Sequence, residues 1–260
     1  MTAAVSPSPS ALPTTSPTPF DNDVFISTTI PAQIATNNLV PVGITIENTG
    51  NTTWMAGGPY WLSVMSDPCF LIGISEIEIG PSDIIPPGTS YSFGSTLIGP
   101  ASAGSCSLSL RMKNSETGVF GPSFETTIDV IPAQNGAVAM SSTMPPKIPP
   151  GSKIGIGISF LNSGNTTWSA EGNYSLSVIE DACSILGGPG TRIPIEPGIL
   201  VTKNLPYQFL TTITAPISTG SCSVKVRMAE QGLGAFGDTM TLSTSIESPP
   251  NSTRSWDEYD

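Results

Sequence analysis

The clearest chemistry in this 260-residue chain belongs to its four cysteines, Cys69, Cys106, Cys183 and Cys222. They fall in two pairs at matching places of a sequence repeat, so we expect one disulfide within each copy, joining the first to the second and the third to the fourth. Each bridge would close a loop of about 40 residues. It would stabilise the fold by about 4 kcal/mol, because it lowers the conformational entropy of the unfolded chain. One alternative is four buried, reduced thiols in a cytosolic protein. The other is a four-thiolate zinc site, although no two cysteines have the spacing of a metal clip. Disulfides predict an oxidising, extracellular location.

Catalytic chemistry has few candidate residues. The chain contains no His, which excludes Ser-His-Asp and Cys-His catalysis. Glu76 and Glu78 alternate with isoleucines and therefore predict a solvated strand face rather than a pair of glycosidase carboxylates. The carboxylates within 21–23 and 257–260 lack the spaced oxygen ligands of a calcium loop. We expect a protein that is not an enzyme and has neither a cofactor nor a metal site.

Asparagine side chains offer a site for modification. Four Asn-x-Ser/Thr triplets without a central Pro make candidate N-glycosylation sites of Asn51, Asn165, Asn173 and Asn251. The first two lie in repeated Gly-Asn-Thr-Thr segments, which are equally typical of a tight turn because Gly and Asn accept positive φ. These turns are also our candidate contact region for a partner, through Thr52, Thr53, Thr166 and Thr167.

The elements that must position these residues occur twice along the chain. Residues 48–69 recur as residues 162–183 at a constant offset of 114, and residues 91–121 recur as residues 207–237 at an offset of 116. The second copy has therefore gained two residues in a middle loop. A repeat of this length predicts two structurally equivalent domains.

The division of the chain follows from this repeat. We predict a flexible Pro/Ser/Thr-rich linker over 1–21, domains over 22–132 and 133–248, and a flexible tail over 249–260. Apolar residues alternate with small or polar ones in segments such as 40–46, which is the period of a half-buried strand. About seven short strands per copy, separated by Gly, Pro and Asn, predict an all-β protein of two tandem immunoglobulin-like or fibronectin-like β-sandwiches.

Composition limits the partners. Nine Lys and Arg against 20 Asp and Glu give a net charge of −11, which argues against nucleic acid. The acidity is uneven, with a net charge of −8 up to residue 132 and −1 over 133–248, and it serves either solubility or contact with a partner. Apolar stretches are shorter than the roughly 18 residues of a membrane helix, so no transmembrane segment is expected.

The repeated residues follow a familiar order. Each copy reads Asn-x-Gly-Asn-Thr-Thr-Trp, then Tyr-x-Leu, and later Pro-x-x-x-Gly-Ser, Arg-Met and Phe-Gly. This order resembles the four-tryptophan (FW) immunoglobulin-like domain of the Nbr-type autophagy receptors, which also occurs in bacterial and archaeal surface proteins. The resemblance covers nearly all of both copies and implies a β-sandwich.

Four residues of this motif invite interpretation. Trp54 and Trp168 are read as core packing, with a ligand-stacking surface as the alternative. Arg111 and Arg227 are read as structural partners of a nearby carbonyl or acid, with a ligand carboxylate as the alternative. The chain departs from the family at Leu110 and Val226, which stand where Trp is usual, and at Cys106 and Cys222, which stand where an aromatic residue is usual.

The sequence therefore favours a non-catalytic tandem module of an exported or cell-surface protein, serving as a structural spacer or as an adhesion or protein-interaction domain. The expected partner is a protein or a cell-envelope polysaccharide. One alternative is an accessory carbohydrate-binding module of a larger extracellular enzyme, which an exposed Trp61 or Tyr174 would favour. The other is an intracellular cargo-binding adaptor like the eukaryotic FW receptors, which reduced thiols would favour.

Overall fold

The computed structural model describes residues 18–248, which form strands, turns and loops without a helix. The first ten strands are β1 (Asp23–Thr28), β2 (Gln33–Ala35), β3 (Leu39–Asn48), β4 (Trp54–Met55), β5 (Tyr60–Ser66), β6 (Glu76–Glu78), β7 (Ile84–Ile85), β8 (Ser90–Ile98), β9 (Gly104–Asn114) and β10 (Gly118–Ile131). The other eight are β11 (Ala137–Ser142), β12 (Lys147–Ile148), β13 (Lys153–Asn162), β14 (Tyr174–Asp181), β15 (Arg192–Pro194), β16 (Pro206–Thr214), β17 (Gly220–Glu230) and β18 (Gly234–Ile246). Most of the predicted linker, the tail and the sequon at Asn251 lie outside the described residues.

The strands build two sandwiches with the same topology. The first joins a three-stranded sheet, β1-β3-β8, to a five-stranded sheet, β2-β10-β9-β5-β6, and the second repeats this as β11-β13-β16 and β12-β18-β17-β14-β15. Pairing is antiparallel except where β2 meets β10 and β12 meets β18. A two-stranded sheet, β4-β7, accompanies the first sandwich. The predicted all-β fold of two tandem immunoglobulin-like sandwiches is confirmed.

Each sandwich has its own core, built from the predicted alternation of strand residues. On β3, Val42, Ile44 and Ile46 are buried between half-exposed neighbours. Trp54 and Trp168 are 0% exposed and therefore lie in the two cores. The indole of Trp54 packs 5.9 Å from the Phe120 ring, and its counterpart in the second core has the matching contact.

The two disulfides form within the copies, as predicted. Cys69 is bonded to Cys106 and Cys183 to Cys222, which ties the loop after β5 to β9 and the loop after β14 to β17. The described residues contain no free cysteine. Each bridge therefore connects a surface loop to the central strand of the five-stranded sheet.

An aspartate beside each bridge was not anticipated from the sequence. The carboxylate of Asp67 accepts the backbone N–H groups of Leu71 and Ile72 at 2.8 Å. Asp181 accepts the equivalent groups of the second copy, Ile185 at 3.0 Å and Leu186 at 2.8 Å. The two aspartates recur at the offset of 114, which is the signal that could have identified them.

The two motif arginines close the hairpins β9–β10 and β17–β18. Arg111 Nε donates to the Gly121 carbonyl at 2.9 Å, and Arg227 Nη2 donates to the Gly237 carbonyl at 2.8 Å. Gly121 has φ 66°, and a Cβ there would lie 1.5 Å from Asp23 Oδ1. Burial raises the pKa of the Asp23 carboxyl from 3.8 to about 7, and Arg111 partly opposes this rise. In this structure each arginine therefore links the two strands of its hairpin through a backbone carbonyl.

Candidate functional site: the leading end of each sandwich

The leading end is the end at which the chain enters each sandwich. In the first sandwich it comprises residues 18–21 and the turn 48–54, and in the second it comprises residues 132–135 and the turn 162–168. The strongest sequence identity between the copies falls in these two turns. The hydrogen bonds of the two turns show the structural role of these repeated residues.

A fully buried asparagine fixes each turn. Asn48 is 0% exposed, and its Nδ2 donates to the carbonyls of Thr52 at 2.7 Å and Ile85 at 3.0 Å. Its Oδ1 accepts the Gly50 N–H at 3.1 Å. Asn162 makes the same three bonds in the second copy. All polar atoms of the buried amide are therefore hydrogen-bonded, two bonds lying inside the turn and the third tying the turn to Ile85 or Val201, which explains why Asn recurs at this position.

The next asparagine of each turn clamps the chain segment that leads into the sandwich. Asn51 Oδ1 accepts the N–H of Phe20 at 2.7 Å, and its Nδ2 donates to the carbonyl of Thr18 at 2.9 Å. Asn165 holds Gln134 N–H at 2.7 Å and the Pro132 carbonyl at 3.0 Å in the same way. The side-chain amide thus acts as an additional peptide group of a short ladder. The sequence predicts residues 18–21 as part of a flexible linker, and this is wrong because their hydrogen bonds dock them on the first sandwich.

A carboxylate completes this end of the first sandwich. Asp21 Oδ1 accepts the hydroxyl of Tyr60 at 3.0 Å and the hydroxyl of Thr52. Its Oδ2 accepts Asn114 Nδ2, from the end of β9, at 2.7 Å. The acid therefore lies on the leading segment, and the amide lies on the sandwich.

The second sandwich has the same cluster with the acid and the amide exchanged. Asn135, at the position of Asp21, accepts the hydroxyls of Thr166 at 2.6 Å and Tyr174 at 3.0 Å. Its Nδ2 donates to Glu230 Oε2 at 2.6 Å, and Glu230 ends β17 as Asn114 ends β9. Each cluster therefore keeps one carboxylate and one amide. A comparison of identical residues misses this exchange.

The leading end of the second sandwich is also the joint with the first. Asn38, 5% exposed in the turn after β2, accepts the N–H of Thr167 and donates to the carbonyl of Asn165 at 3.3 Å. Thr36 Oγ1 accepts the N–H of Ala133, in the connecting segment, at 3.1 Å. The connecting segment is therefore bonded to both sandwiches.

This arrangement separates the four threonines chosen from the sequence. Thr166 and Thr167 are 4% and 6% exposed, because the first sandwich and the connecting segment lie against them. The prediction of an interaction loop open to an outside partner is therefore wrong for this copy. Thr52 and Thr53, at the leading end of the first sandwich, are half-exposed.

The other candidate positions do not form a binding platform. Tyr174 is 7% exposed, and the ring of half-buried Trp61 lies 5.3 Å from Lys113 Nζ, which is paired with Glu76 at 3.3 Å. An open groove of about 780 Å³ lies on the outer face of the first five-stranded sheet. Within residues 18–248 no three His, Cys, Asp or Glu side chains group as metal ligands. No helix of this part of the chain could cross a membrane.

Comparison with known proteins finds likeness only among solved structures. No family model and no curated protein sequence matches the chain. Native E. coli alpha-2-macroglobulin is 10% identical over 87% of this chain and 17% of its own, with a TM-score of 0.31. A chimeric titin Z1Z2 functionalized with a KLER peptide from decorin is 13% identical over 88% of this chain and 97% of its own, with a TM-score of 0.36. The D0-D1 domain of intimin is 9% identical over 84% and 98%, with a TM-score of 0.26. Function must therefore be argued from the residues of this chain.

Proposed function

We propose that this chain is a non-catalytic module of an exported or cell-surface protein and acts as a stiff spacer. Two sandwiches in tandem would hold whatever is attached to their ends at a fixed distance and angle. We also propose kinship with the FW domains, on the strength of the repeated motif. In each copy the second asparagine of the turn (Asn51 or Asn165) and the threonine after it (Thr52 or Thr166) bond to the leading segment.

The observation that carries the proposal is the joint. The connecting residues Pro132, Ala133 and Gln134 each make a hydrogen bond to a side chain of one sandwich or the other. Asn38 adds two further bonds across the joint. A flexible connection would expose its backbone to water and leave the relative orientation free. Here five directed bonds restrict it, which is what a spacer requires.

The two disulfides support an exported setting. Such bonds persist in oxidising compartments and are rare where glutathione keeps thiols reduced. The net charge of −11 and the Pro/Ser/Thr-rich sequence of residues 1–17 agree with a solvated, extended position on a surface.

The test is whether the two sandwiches tumble as one body. ¹⁵N relaxation of the full chain should give both sandwiches a single diffusion tensor. Removing the clamp and the cross-joint bonds with Asn38→Ala and Asn165→Ala should split this into two faster tensors, while both sandwiches stay folded. Asn51→Ala is the matched control, because it removes the same clamp from the leading end of the first sandwich, away from the joint.

Independent tumbling of the two sandwiches in the unmodified chain would contradict the spacer proposal. So would a double variant that tumbles exactly as the unmodified chain does. Hydrolysis of an envelope polymer, abolished by a single carboxylate substitution, would overturn the non-catalytic assignment.

A further inference from the structure

Strand edges differ in how well they are protected from pairing with another chain. Of the outer strands in the described sheets, β2, β6, β12 and β15 have two or three residues, and β4 and β7 have two. β1 and β11 are interrupted by a register shift in their pairing with β3 and β13. Short and bulged edges are the usual means of preventing edge-to-edge association.

Strands β8 and β16 lack this protection. Each is nine residues long and pairs in continuous register with its only sheet neighbour, β3 or β13. Neither strand contains a charged residue, and the only proline is Pro206 at the start of β16. These are the two long, regular edges of the described structure, and they occupy equivalent positions in the two sandwiches.

Most backbone groups on the outer side of β8 have no backbone partner within the described residues. N–H and C=O of one strand residue point to the same side, and the side alternates along the strand. The Thr89 carbonyl accepts from Asn48, at the end of β3, whereas the Ile98 N–H donates away from β3 to Leu71. Ser92, Gly94 and Thr96, on the same alternation as Ile98, therefore face outward and find no backbone partner within residues 18–248.

The same alternation applies to β16. The Leu205 carbonyl accepts from Asn162 of β13, and the Thr214 N–H donates away from β13 to Ile185. Gln208, Leu210 and Thr212, on the same alternation as Thr214, face outward and again have no backbone partner in the described part of the chain.

The two flanks carry opposite charge. The segment 76–98, which runs from β6 to β8, contains Glu76, Glu78 and Asp83 and no Lys or Arg. The equivalent segment 192–214, from β15 to β16, contains Arg192 and Lys203 against Glu196. Their own net charges are −3 and +1, and Lys113 of β9, which pairs with Glu76 at 3.3 Å, reduces the first to −2. β6 and β15 lie beside β8 and β16, so these charges border the open edges. The flank of the first sandwich therefore attracts that of the second and repels another copy of itself.

The outer surfaces are also complementary in shape. Gly94 of β8 lies opposite Gly43 of β3, and a Cβ on Gly94 would meet nothing within 4 Å. At the equivalent place in β16 stands Leu210, an apolar side chain that is 69% exposed. An antiparallel pairing that places Leu210 opposite Gly94 would lay this leucine over the side-chain-free gap.

We propose that β8 of one copy of this chain pairs antiparallel with β16 of a second copy, with Gly94 opposite Leu210. In this register Ser92 faces Thr212 and Thr96 faces Gln208, so all six outward residues form hydrogen-bonded pairs. The two three-stranded sheets become one continuous six-stranded sheet. The occupant of the edge is a second copy because this chain itself carries the complementary strand, charge and side chain.

Sedimentation of the full chain at low salt tests the association. We expect a concentration-dependent assembly that weakens as salt is added. Leu210→Glu removes the burial of a leucine side chain and brings a negative charge to the acidic flank, so it should weaken association by roughly tenfold or more. Leu233→Glu is the matched control, because Leu233 is 76% exposed in the turn between β17 and β18, away from the edge. It should leave association unchanged.

Cross-linking tests the register. A Ser92→Cys copy mixed with a Thr212→Cys copy should form a disulfide-linked pair, because the two residues face each other in the proposed register. The native cysteines do not compete, since all four are already in disulfides. Ser92→Cys mixed with Gln208→Cys, four residues out of register, should not. A chain that stays monomeric at low salt, an assembly that both glutamate variants weaken equally, or equal cross-linking of the two cysteine mixtures would each overturn the proposal.

Discussion

The acid–amide cluster at the leading end of the first sandwich can be tested by transplanting the arrangement of the second. Asp21→Asn removes the carboxylate that accepts the hydroxyls of Thr52 and Tyr60 and the amide of Asn114. If the new amide oxygen keeps the two hydroxyls, its NH₂ group faces the NH₂ group of Asn114. Asn114 cannot turn its oxygen to it without loss, because that oxygen accepts the Glu116 N–H at 2.9 Å.

The expected magnitude follows from this count. Asp21→Asn loses at least one hydrogen bond to a charged group, which is worth about 1.5–3 kcal/mol of unfolding free energy. Asn114→Glu alone places two carboxylates together and should cost a similar amount. The double variant rebuilds the pairing of Asn135 with Glu230, so we expect it to recover most of the loss, with a coupling of about 1–3 kcal/mol.

Urea unfolding of the full chain measures this cycle, with tryptophan fluorescence and circular dichroism fitted together. Glu125→Gln is the control, because it removes one exposed carboxylate of the first sandwich that makes no side-chain hydrogen bond among the described residues. Additive effects of the two substitutions, or a double variant less stable than either single one, would refute the reasoning.

Three further predictions concern the bridges, pH and glycans. Cys183→Ser with Cys222→Ser should lower the unfolding free energy of the second sandwich by about 4 kcal/mol, measured by urea unfolding, because the closed loop of about 40 residues is released. Since the pKa of Asp23 is about 7 in the fold, against an ordinary value of 3.8 in water, the fold favours its neutral form. Stability should therefore fall as pH rises from about 4 to 7, and Asp23→Asn should flatten this slope in melts across that range. In a glycosylating host, mass spectrometry should find glycan on Asn173, which is exposed, before Asn165, whose amide holds the connecting segment.

Much of the fold was predictable because the sequence contains the same domain twice. A feature that recurs in both copies indicates a requirement of the shared fold. Two copies with period-two segments predicted two β-sandwiches, and a repeated pair of cysteines predicted the bridges correctly. The burial of Trp54 and Trp168 agrees with the preferred interpretation, since an aromatic residue that recurs beside a tight turn serves the same packing in both copies.

The role of the leading end was not predictable in the same way. The clamp joins Asn51 to Thr18 across 33 residues, and no local pattern reports such a contact. The replacement of Asp21 by Asn135 looks like divergence until its partner, Asn114 at the end of β9 or Glu230 at the end of β17, is known. Asn38, which crosses the joint, is replaced by Ser152 in the second copy, so repetition cannot reveal it. Contacts unique to one copy need the structure.

The exchanged acid and amide also make each leading segment selective for its own sandwich. Tandem domains of similar sequence risk trading equivalent segments while they fold. If the segment of Asp21 docked on the second sandwich, its carboxylate would meet that of Glu230. If the segment of Asn135 docked on the first, its NH₂ group would meet that of Asn114. Both mistaken pairings are repulsive and both correct ones are attractive. Two tandem sandwiches joined by a few residues can therefore fold without exchanging their leading segments.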